Sequence, residues 1–96
     1  MTKRIIMPKH SFIAIIDYED TIPVMFITLR KGKQYRYQGF PISEFEKIEN
    51  CKNVGSYIAI NIIKKYPGQF VKVVPAATIE YHIHYTTTSY QNFLAK

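Results

Sequence analysis

The chain has 96 residues, of which 47% are hydrophobic and 21% are charged, and its formal net charge is +6. This hydrophobic content excludes wholesale disorder, and the length allows one small domain with a single core. The single cysteine excludes an internal disulfide, and no apolar run approaches the roughly 20 residues that span a bilayer. We therefore expect a single domain over residues 1–96 and a cytoplasmic location.

The N-terminal third of the sequence predicts one covered strand behind a basic arm. Lys3, Arg4 and Lys9 precede the strand and read as a solvated tail. The strand itself is the β-branched run Phe12–Ile16, whose lack of alternation is typical of a strand covered on both faces. The polar run that follows, 17–21, predicts a turn.

The centre of the sequence predicts a β-hairpin over 24–38. Arg30-Lys31-Gly32 reads as a three-residue loop in which glycine takes the left-handed position. This loop length sets the following cross-strand pairs: Leu29 with Lys33, Thr28 with Gln34, Ile27 with Tyr35, Phe26 with Arg36, and Met25 with Tyr37. Tyr35 and Tyr37 then lie on the core face, and Phe26 and Arg36 on the other face.

Two helices and two strands are predicted after the hairpin. The helices cover about 43–50, with a capping box of Ser43 and Glu46, and about 54–66, with Asn53 as its cap. The strands cover about 69–74 and 79–86. The predicted fold class is α+β, a small antiparallel sheet with a central hairpin, two helices packed on one face and two further C-terminal strands.

Several short motifs of the sequence resemble one family. They are Ser11-Phe12-Ile13, Tyr18, Tyr35-Arg36-Tyr37, Gly39-Phe40-Pro41, Gly55-Ser56-Tyr57 and Lys64-Lys65-Tyr66. Together they resemble the KTSC domain, which is named for its place at the carboxy terminus of some lysyl-tRNA synthetases. The resemblance covers 11–66, leaves 67–96 as a C-terminal strand extension, and implies an α+β fold and RNA binding. The sequence departs from the family at Asn53, where serine is more usual, and at Ala59, where asparagine is often seen.

Few residues suggest catalysis or metal binding. Glu80, His82 and His84 alternate on a predicted strand, so two imidazoles could share a metal if a third ligand such as His10 converged. Solvent-facing histidines are the simpler interpretation, and anion binding is a third. Cys51 is interpreted as a small buried residue rather than a reactive thiol. We expect no cofactor and no enzymatic activity.

Positive charge and aromatic residues coincide at the hairpin. A basic turn beside Phe26 fits a platform on which a base stacks, the alternative being a soluble sheet edge with Phe26 covered by the C-terminal strands. Tyr35 and Tyr37 are assigned a core role before a ligand role. The full predicted set of residues for a nucleotide or phosphate ligand is Phe26, Arg30, Lys31, Lys33, Tyr35, Arg36, Tyr37, Lys64 and Lys65.

These features favour a non-catalytic binding protein for a phosphate-bearing ligand, either a nucleotide or RNA. A sharper hypothesis is a sponge of the kind many bacteriophages encode, which traps a nucleotide immune signal in a pocket between subunits. The alternative is a protein–protein interaction module that uses its basic surface and an edge strand, Ile79–Tyr85. We also expect a homo-oligomer, with a symmetric dimer as the default.

Overall fold

The computed structural model describes residues 2–9, 11–19 and 21–84 of the chain. The strands are β1 (Thr2–Ile6), β2 (Ile13–Glu19), β3 (Val24–Leu29), β4 (Lys33–Gln38) and β5 (Gln69–Val73). The helices are α1 (Ser43–Glu49), α2 (Val54–Ile58), which continues as a π-helical segment (Ala59–Ile63), and α3 over 76–84. No helix among these residues is long and apolar enough to cross a membrane.

The five strands form one antiparallel sheet in the order β1-β2-β3-β4-β5. Each strand therefore pairs with the next one along the chain, and β1 and β5 lie at the two edges. The predicted α+β class is confirmed, as is the strand predicted over 69–74.

The hairpin of β3 and β4 has the register that the three-residue loop predicted. Phe26 lies opposite Arg36, and Ile27 lies opposite Tyr35. Gly32 closes the loop with a φ of +114°, a conformation that side chains with a Cβ rarely adopt. A Cβ added there would also lie 2.9 Å from the carbonyl oxygen of Val74. The loop thus requires glycine for two independent reasons.

One face of the sheet, called here the first face, packs against α1 and α2. Aliphatic side chains with 1% exposure or less fill the space between them: Ile13, Ile16, Met25, Ile27, Ile48, Ile58 and Ile62. Three aromatic rings extend this core, since Phe45 stacks on Tyr18 at 4.8 Å and meets Phe40 edge-on at 5.5 Å between centroids. Each fully buried side chain of this size contributes about 1.5–3 kcal/mol. The first face therefore supplies most of the hydrophobic stabilisation.

The opposite face, called here the second face, packs against α3. Ile79 and Ile83, one helical turn apart, meet Ile15 and Val74 in a smaller apolar cluster. The strand predicted over 79–86 is therefore wrong for 79–84, which is helical, and residues 85 and 86 lie outside the described residues. The alternation of that segment misled, because Ile79 and Ile83 satisfy a four-residue spacing as well as a two-residue one. The carbonyl of Pro75 accepts the N–H groups of Thr78 at 2.9 Å and Ile79 at 3.0 Å, which starts the helix.

The N-terminal arm is also a strand rather than a solvated tail. β1 pairs with β2 along its length, and the predicted turn at 17–19 is the second half of β2. Across this pair, Nε of Arg4 lies 2.6 Å from Oδ1 of Asp17. Nζ of Lys3 lies 2.7 Å from Oε1 of Glu49 in α1. Two of the three cations that suggested solvation, Lys3 and Arg4, are thus paired with carboxylates distant in sequence.

The two helices of the first face begin differently. The Asn53 side chain accepts the N–H of Ser56 at 3.3 Å, so the predicted cap of α2 is confirmed. The capping box predicted for α1 is wrong, because Ile42 occupies the cap position and no side chain caps the helix. Backbone bonds close that first turn instead, with the N–H of Glu44 donating to the carbonyl of Pro41 at 3.0 Å.

Candidate functional site

The two tyrosines of the central motif lie on the first face, as predicted. Tyr37 is 7% exposed, and its ring lies against Gly68, where an added Cβ would be 2.7 Å from Cζ of the tyrosine. Burial, and secondarily the neighbouring Tyr35, raises the pKa of Tyr37. Tyr35 is partly buried and meets Phe70 of β5 edge-on at 5.8 Å. Both rings therefore serve packing before they serve any ligand.

Phe26 and Arg36 lie on the second face, where they are cross-strand partners. Arg36 donates from Nη2 to Oε1 of Gln69, its cross-strand partner in β5. Its Nε is buried, and among the described residues it has no hydrogen-bond partner. As the predicted register required, the pleat places these two residues on the opposite side of the sheet from Tyr35 and Tyr37, so the four predicted ligand residues do not form one site.

Arg30 fixes one end of the molecule rather than projecting into solvent. Its guanidinium donates to the carbonyl oxygens of Pro8 at 2.7 Å, Ser11 at 3.3 Å, Ile13 at 3.4 Å and Met7 at 3.5 Å. Three of these carbonyls belong to the connection between β1 and β2, and that of Ile13 belongs to the first residue of β2. The arginine therefore ties that connection to the β3–β4 loop, while its charge remains at the surface between them.

A cleft of about 480 Å³ lies between this connection and the β3–β4 loop, and we call it the hairpin-end cleft. The described residues that line it are Lys9, Ser11, Phe12, Leu29, Arg30 and Lys31. Phe12 is 54% exposed, and the backbone N–H of Arg30 donates to its carbonyl oxygen at 2.8 Å. The ring of Phe12 thus lies at the surface, while its backbone is hydrogen-bonded to the backbone of Arg30 across the cleft.

A second, shallower cleft of about 340 Å³ lies on the other side of Phe12. Its described lining is Met7, Pro8, Ser11, Phe12, Asn53, Gly55, Ser56 and Ala59. Ser11 and Phe12 belong to both linings, so they form the ridge between the two clefts. The Oγ of Ser11 accepts the N–H of Ile13 at 3.2 Å, which keeps the ridge in one conformation.

The electrostatics of the hairpin-end cleft favour an anion. Three cationic side chains line it, those of Lys9, Arg30 and Lys31, and its described lining includes no carboxylate. Lys33, also predicted as a ligand residue, begins β4 beside the loop and is exposed. Local positive charge of this kind attracts phosphates and is weakened by salt. The arrangement suits a ligand with both a flat ring and a phosphate.

Sequence reasoning missed Lys9, Ser11 and Phe12 as candidate ligand residues. It placed Phe12 within the first strand, whereas β2 begins at Ile13 and its register with β3 shifts between Ile13 and Ile15. Phe12 therefore lies just outside the strand whose unbroken apolar run predicted coverage on both faces, and its ring is 54% exposed. The sequence feature that could have identified these three residues was a lysine and a serine close to the aromatic residue, just after a proline.

The remaining predicted site residues do not line this cleft. Lys64 and Lys65 are exposed and follow the π-helical segment. Glu80, His82 and His84 lie in α3, where residues two apart point about 200° away from each other, so their one-face argument is wrong. The described residues contain no group of three or more potential metal ligands. Cys51 is partly buried between α1 and α2, and His10 lies outside the described residues.

Comparison with known proteins agrees with the resemblance seen in the sequence. The KTSC domain matches residues 9–66, a span that contains the hairpin, α1, α2 and every described residue lining the hairpin-end cleft. β1, β5 and α3 lie outside that span. No curated protein and no solved structure shows a significant similarity to the chain. Because the match covers more than half of the 96 residues, the chain belongs to the KTSC domain family.

Proposed function

We propose that the protein is a non-catalytic binding protein for a phosphate-bearing ligand, a nucleotide unit either free or within an RNA strand. The observation that carries this proposal is the hairpin-end cleft, in which the half-exposed ring of Phe12 stands among Lys9, Arg30 and Lys31. The ring offers a stacking face, and the lysine ammonium groups offer charge to a phosphate.

Stacking and charge make separable contributions to this binding. A base stacked on an aromatic side chain contributes about 1–3 kcal/mol and tolerates any base, because every base has a π-face. Lysines at the rim contribute a salt-sensitive attraction to phosphate oxygens. Arg30 adds charge but is held by four backbone carbonyls, so it positions the cleft walls as well. The described lining offers cations and a ring rather than a nucleophile with a base, which supports binding rather than catalysis.

The test is a fluorescence or calorimetric titration of the intact chain with a mononucleotide and with single-stranded RNA of several lengths. Phe12→Leu should weaken binding about five- to a hundredfold, because it removes the stacking face and keeps apolar volume. Lys31→Met should weaken binding and reduce the salt slope by about one. Affinity that rises with RNA length assigns the cleft to RNA, and tight binding of the mononucleotide alone assigns it to a small nucleotide.

Matched controls separate the cleft from general surface effects. Tyr81→Leu likewise removes an aromatic ring, one that is 64% exposed against 54% for Phe12, but it lies on α3 away from the cleft lining and from β5. Lys65→Met removes an exposed charge beyond the π-helical segment. Equal losses in the test and control variants, or no binding of either probe by the wild type, would contradict the proposal.

The exposed edge strand β5 favours a second candidate function, self-association. All five of its residues are exposed, and the apolar ones are exposed by 57% for Phe70, 42% for Val71 and 62% for Val73. An unpaired edge with apolar side chains is a template for another strand. We propose a second copy of the chain as the occupant, because two antiparallel β5 edges meeting at a twofold axis through Val71 complement one another. The edge strand predicted at Ile79–Tyr85 does not serve this role, since its described part is helical.

Native mass spectrometry and light scattering test this second candidate. The wild type should form a dimer, and Val73→Lys, which places charge at the edge, should shift it to a monomer. A wild type that stays monomeric at micromolar to millimolar concentration would overturn it. The version in which a nucleotide is trapped between subunits further requires that the dimer carries the nucleotide and that Val73→Lys releases it.

A further inference from the structure

The second face of the sheet holds a pocket that shares no described residue with the hairpin-end cleft. Its volume is about 280 Å³, and we call it the second-face pocket. The described residues that line it are Arg4, Ile15, Asp17, Thr28, Gln34, Lys72, Val74, Thr78 and His82. β5 and α3 lie outside the family match. Four lining residues belong to this part of the chain: Lys72 in β5, Val74 directly after it, and Thr78 and His82 in α3.

The sheet register brings the floor of this pocket together. Successive cross-strand pairs form one row across four strands, Ile15, Thr28, Gln34 and Lys72. Arg4 of β1 and Asp17 of β2 form another cross-strand pair, in the next row of the same face. Backbone pairing in the sheet therefore sets the relative positions of the residues in the pocket floor.

Arg4 is held in place by its neighbours within the pocket. Its Nε lies 2.6 Å from Oδ1 of Asp17, and its Nη2 lies 3.3 Å from Oδ2. Its Nη1 lies 3.4 Å from Nδ1 of His82. A guanidinium has only donors, so Nδ1 of the imidazole accepts here, and a neutral His82 then carries its proton on Nε2. Asp17 therefore acts on the pocket mainly by orienting Arg4 between β1 and α3.

The pocket carries an excess of positive charge. Arg4 and Lys72 are cations and Asp17 is the single carboxylate, so the formal charge of the described lining is +1 with His82 neutral. Within the described part of the chain, Lys72 forms no ion pair. Lys72 is thus an exposed cation, unpaired among the described residues, that lines the pocket together with the oriented guanidinium.

Neutral polar groups and apolar walls define what the pocket accepts. Thr28 is only 3% exposed and accepts a hydrogen bond from Nε2 of Gln34 at 3.1 Å, and Thr78 adds a second hydroxyl from α3. Ile15 and Val74 add apolar surface to the lining. The volume is below the roughly 300–1,000 Å³ of sites for drug-sized ligands, which suits an oxyanion rather than a whole nucleotide.

We propose that the second-face pocket binds a small phosphate-class anion between Arg4, Lys72 and Thr78. The phosphate oxygens accept from the guanidinium and the ammonium, an arrangement of charge-assisted hydrogen bonds in which arginine and lysine are the preferred donors. This site is independent of the hairpin-end cleft and does not rest on the function proposed for it.

The experiment is a titration of the intact, isotopically labelled protein with inorganic phosphate at constant ionic strength, followed by amide chemical shifts. Saturable shifts at Lys72, Thr78 and His82 with a Kd near or below about 1 mM are expected. Lys72→Met should weaken phosphate binding by about fivefold or more, because it removes a charge-assisted donor and keeps the apolar stem. Lys52→Met, which removes an exposed charge between α1 and α2, should change it less than about twofold.

Three outcomes would overturn this proposal. They are the absence of saturation at about ten times that concentration, equal weakening by Lys72→Met and Lys52→Met, and shifts confined to residues outside the pocket. Titration with glycerol phosphate as a second probe tells a free phosphate site from one that accepts a phosphate ester. Shifts at Phe12 and Lys31 report the hairpin-end cleft in the same spectra, so failure of one site is distinguishable from failure of the other.

Discussion

The two faces of the sheet use the same strands for different purposes. The first face is covered by α1 and α2 over an apolar core in which seven aliphatic side chains are exposed by 1% or less. The second face is covered by α3, whose Ile79 packs with three other buried apolar residues, and beside this cluster it carries the Arg4–Asp17 pair and a polar pocket. The alternation of side chains along each strand produces both faces at once.

This difference shows where stability and chemistry separate in a small domain. Closely packed aliphatic residues leave no room for a solvated ligand within the core of the first face. The second face has fewer apolar contacts and pairs several of its polar groups with one another, such as Arg4 with Asp17 and Gln34 with Thr28, although Nε of Arg36 has no hydrogen-bond partner among the described residues. We therefore expect the first face to dominate the free energy of unfolding and the second face to tolerate change.

The largest expected effect comes from removing a buried isoleucine from each face. Ile48→Ala should lower the free energy of unfolding toward the upper end of the about 2–5 kcal/mol usual for such changes, because the first-face core cannot collapse around the cavity. Ile79→Ala, at 3% exposure on the second face, should fall toward the lower end, because the pocket beside it admits water. Urea denaturation measures both. Equal losses would mean that the two faces are packed equally tightly.

A smaller effect is expected at the β3–β4 loop, where Gly32 lies against Val74 of the apolar cluster on the second face. Gly32→Ala should cost about 1–3 kcal/mol, because its φ is +114° and the new Cβ would press on the backbone of Val74. Gly39→Ala is the matched control, since its φ is +88° and nothing lies within 4 Å of the added Cβ. It should therefore show the backbone strain alone. A loss at Gly39 as large as at Gly32 would show that the contact with Val74 does not matter.

The smallest effect is a pH dependence carried by the link between β1 and α1. The hydrogen bond from Lys3, and then that from Tyr18, lowers the pKa of Glu49 in the folded protein. A carboxyl whose folded pKa is lowered stabilises the fold above its unfolded value, about 4.3, and this stabilisation is lost as pH falls through the folded value. Glu49→Gln should therefore lower Tm at neutral pH, and the difference from wild type should shrink in acid.

Glu46→Gln, an exposed glutamate in the same helix, is the control for this pH dependence. It should leave the acid limb of the Tm profile unchanged. A constant difference between Glu49→Gln and wild type from neutral pH into acid would contradict the linkage.

Local rules predicted the hairpin and the helices on the first face well. The three-residue loop and glycine at its end set the register, so the pairing of Phe26 with Arg36 followed directly. The same rules failed for 79–84, because isoleucines four apart fit both a helix and a strand, and only the uncovered second face decides between them. They failed for β1 as well, because the partners of Lys3 and Arg4 are Glu49 and Asp17, residues that the pattern could not connect.

The candidate ligand residues also fall into two groups, those that local patterns predicted and those that they missed. Arg30 and Lys31 were predicted because charge in a turn is visible in the sequence, and both line the hairpin-end cleft. Phe12 was not, because it was assigned to a covered strand, whereas β2 begins one residue later and the ring of Phe12 is exposed. Arg4, Lys72 and His82 belong to three elements that meet only through the order of the strands and the packing of α3.

The sequence by itself determined the α+β class, the central hairpin with its register, the two helices of the first face and the family. These follow from spacing, turn chemistry and motifs, which act over a few residues. Only the tertiary structure decided which face covers the C-terminal segment, which edge stays open and which cations share a cleft. Those outcomes depend on burial and charge pairing between residues distant along the chain, which no local pattern records.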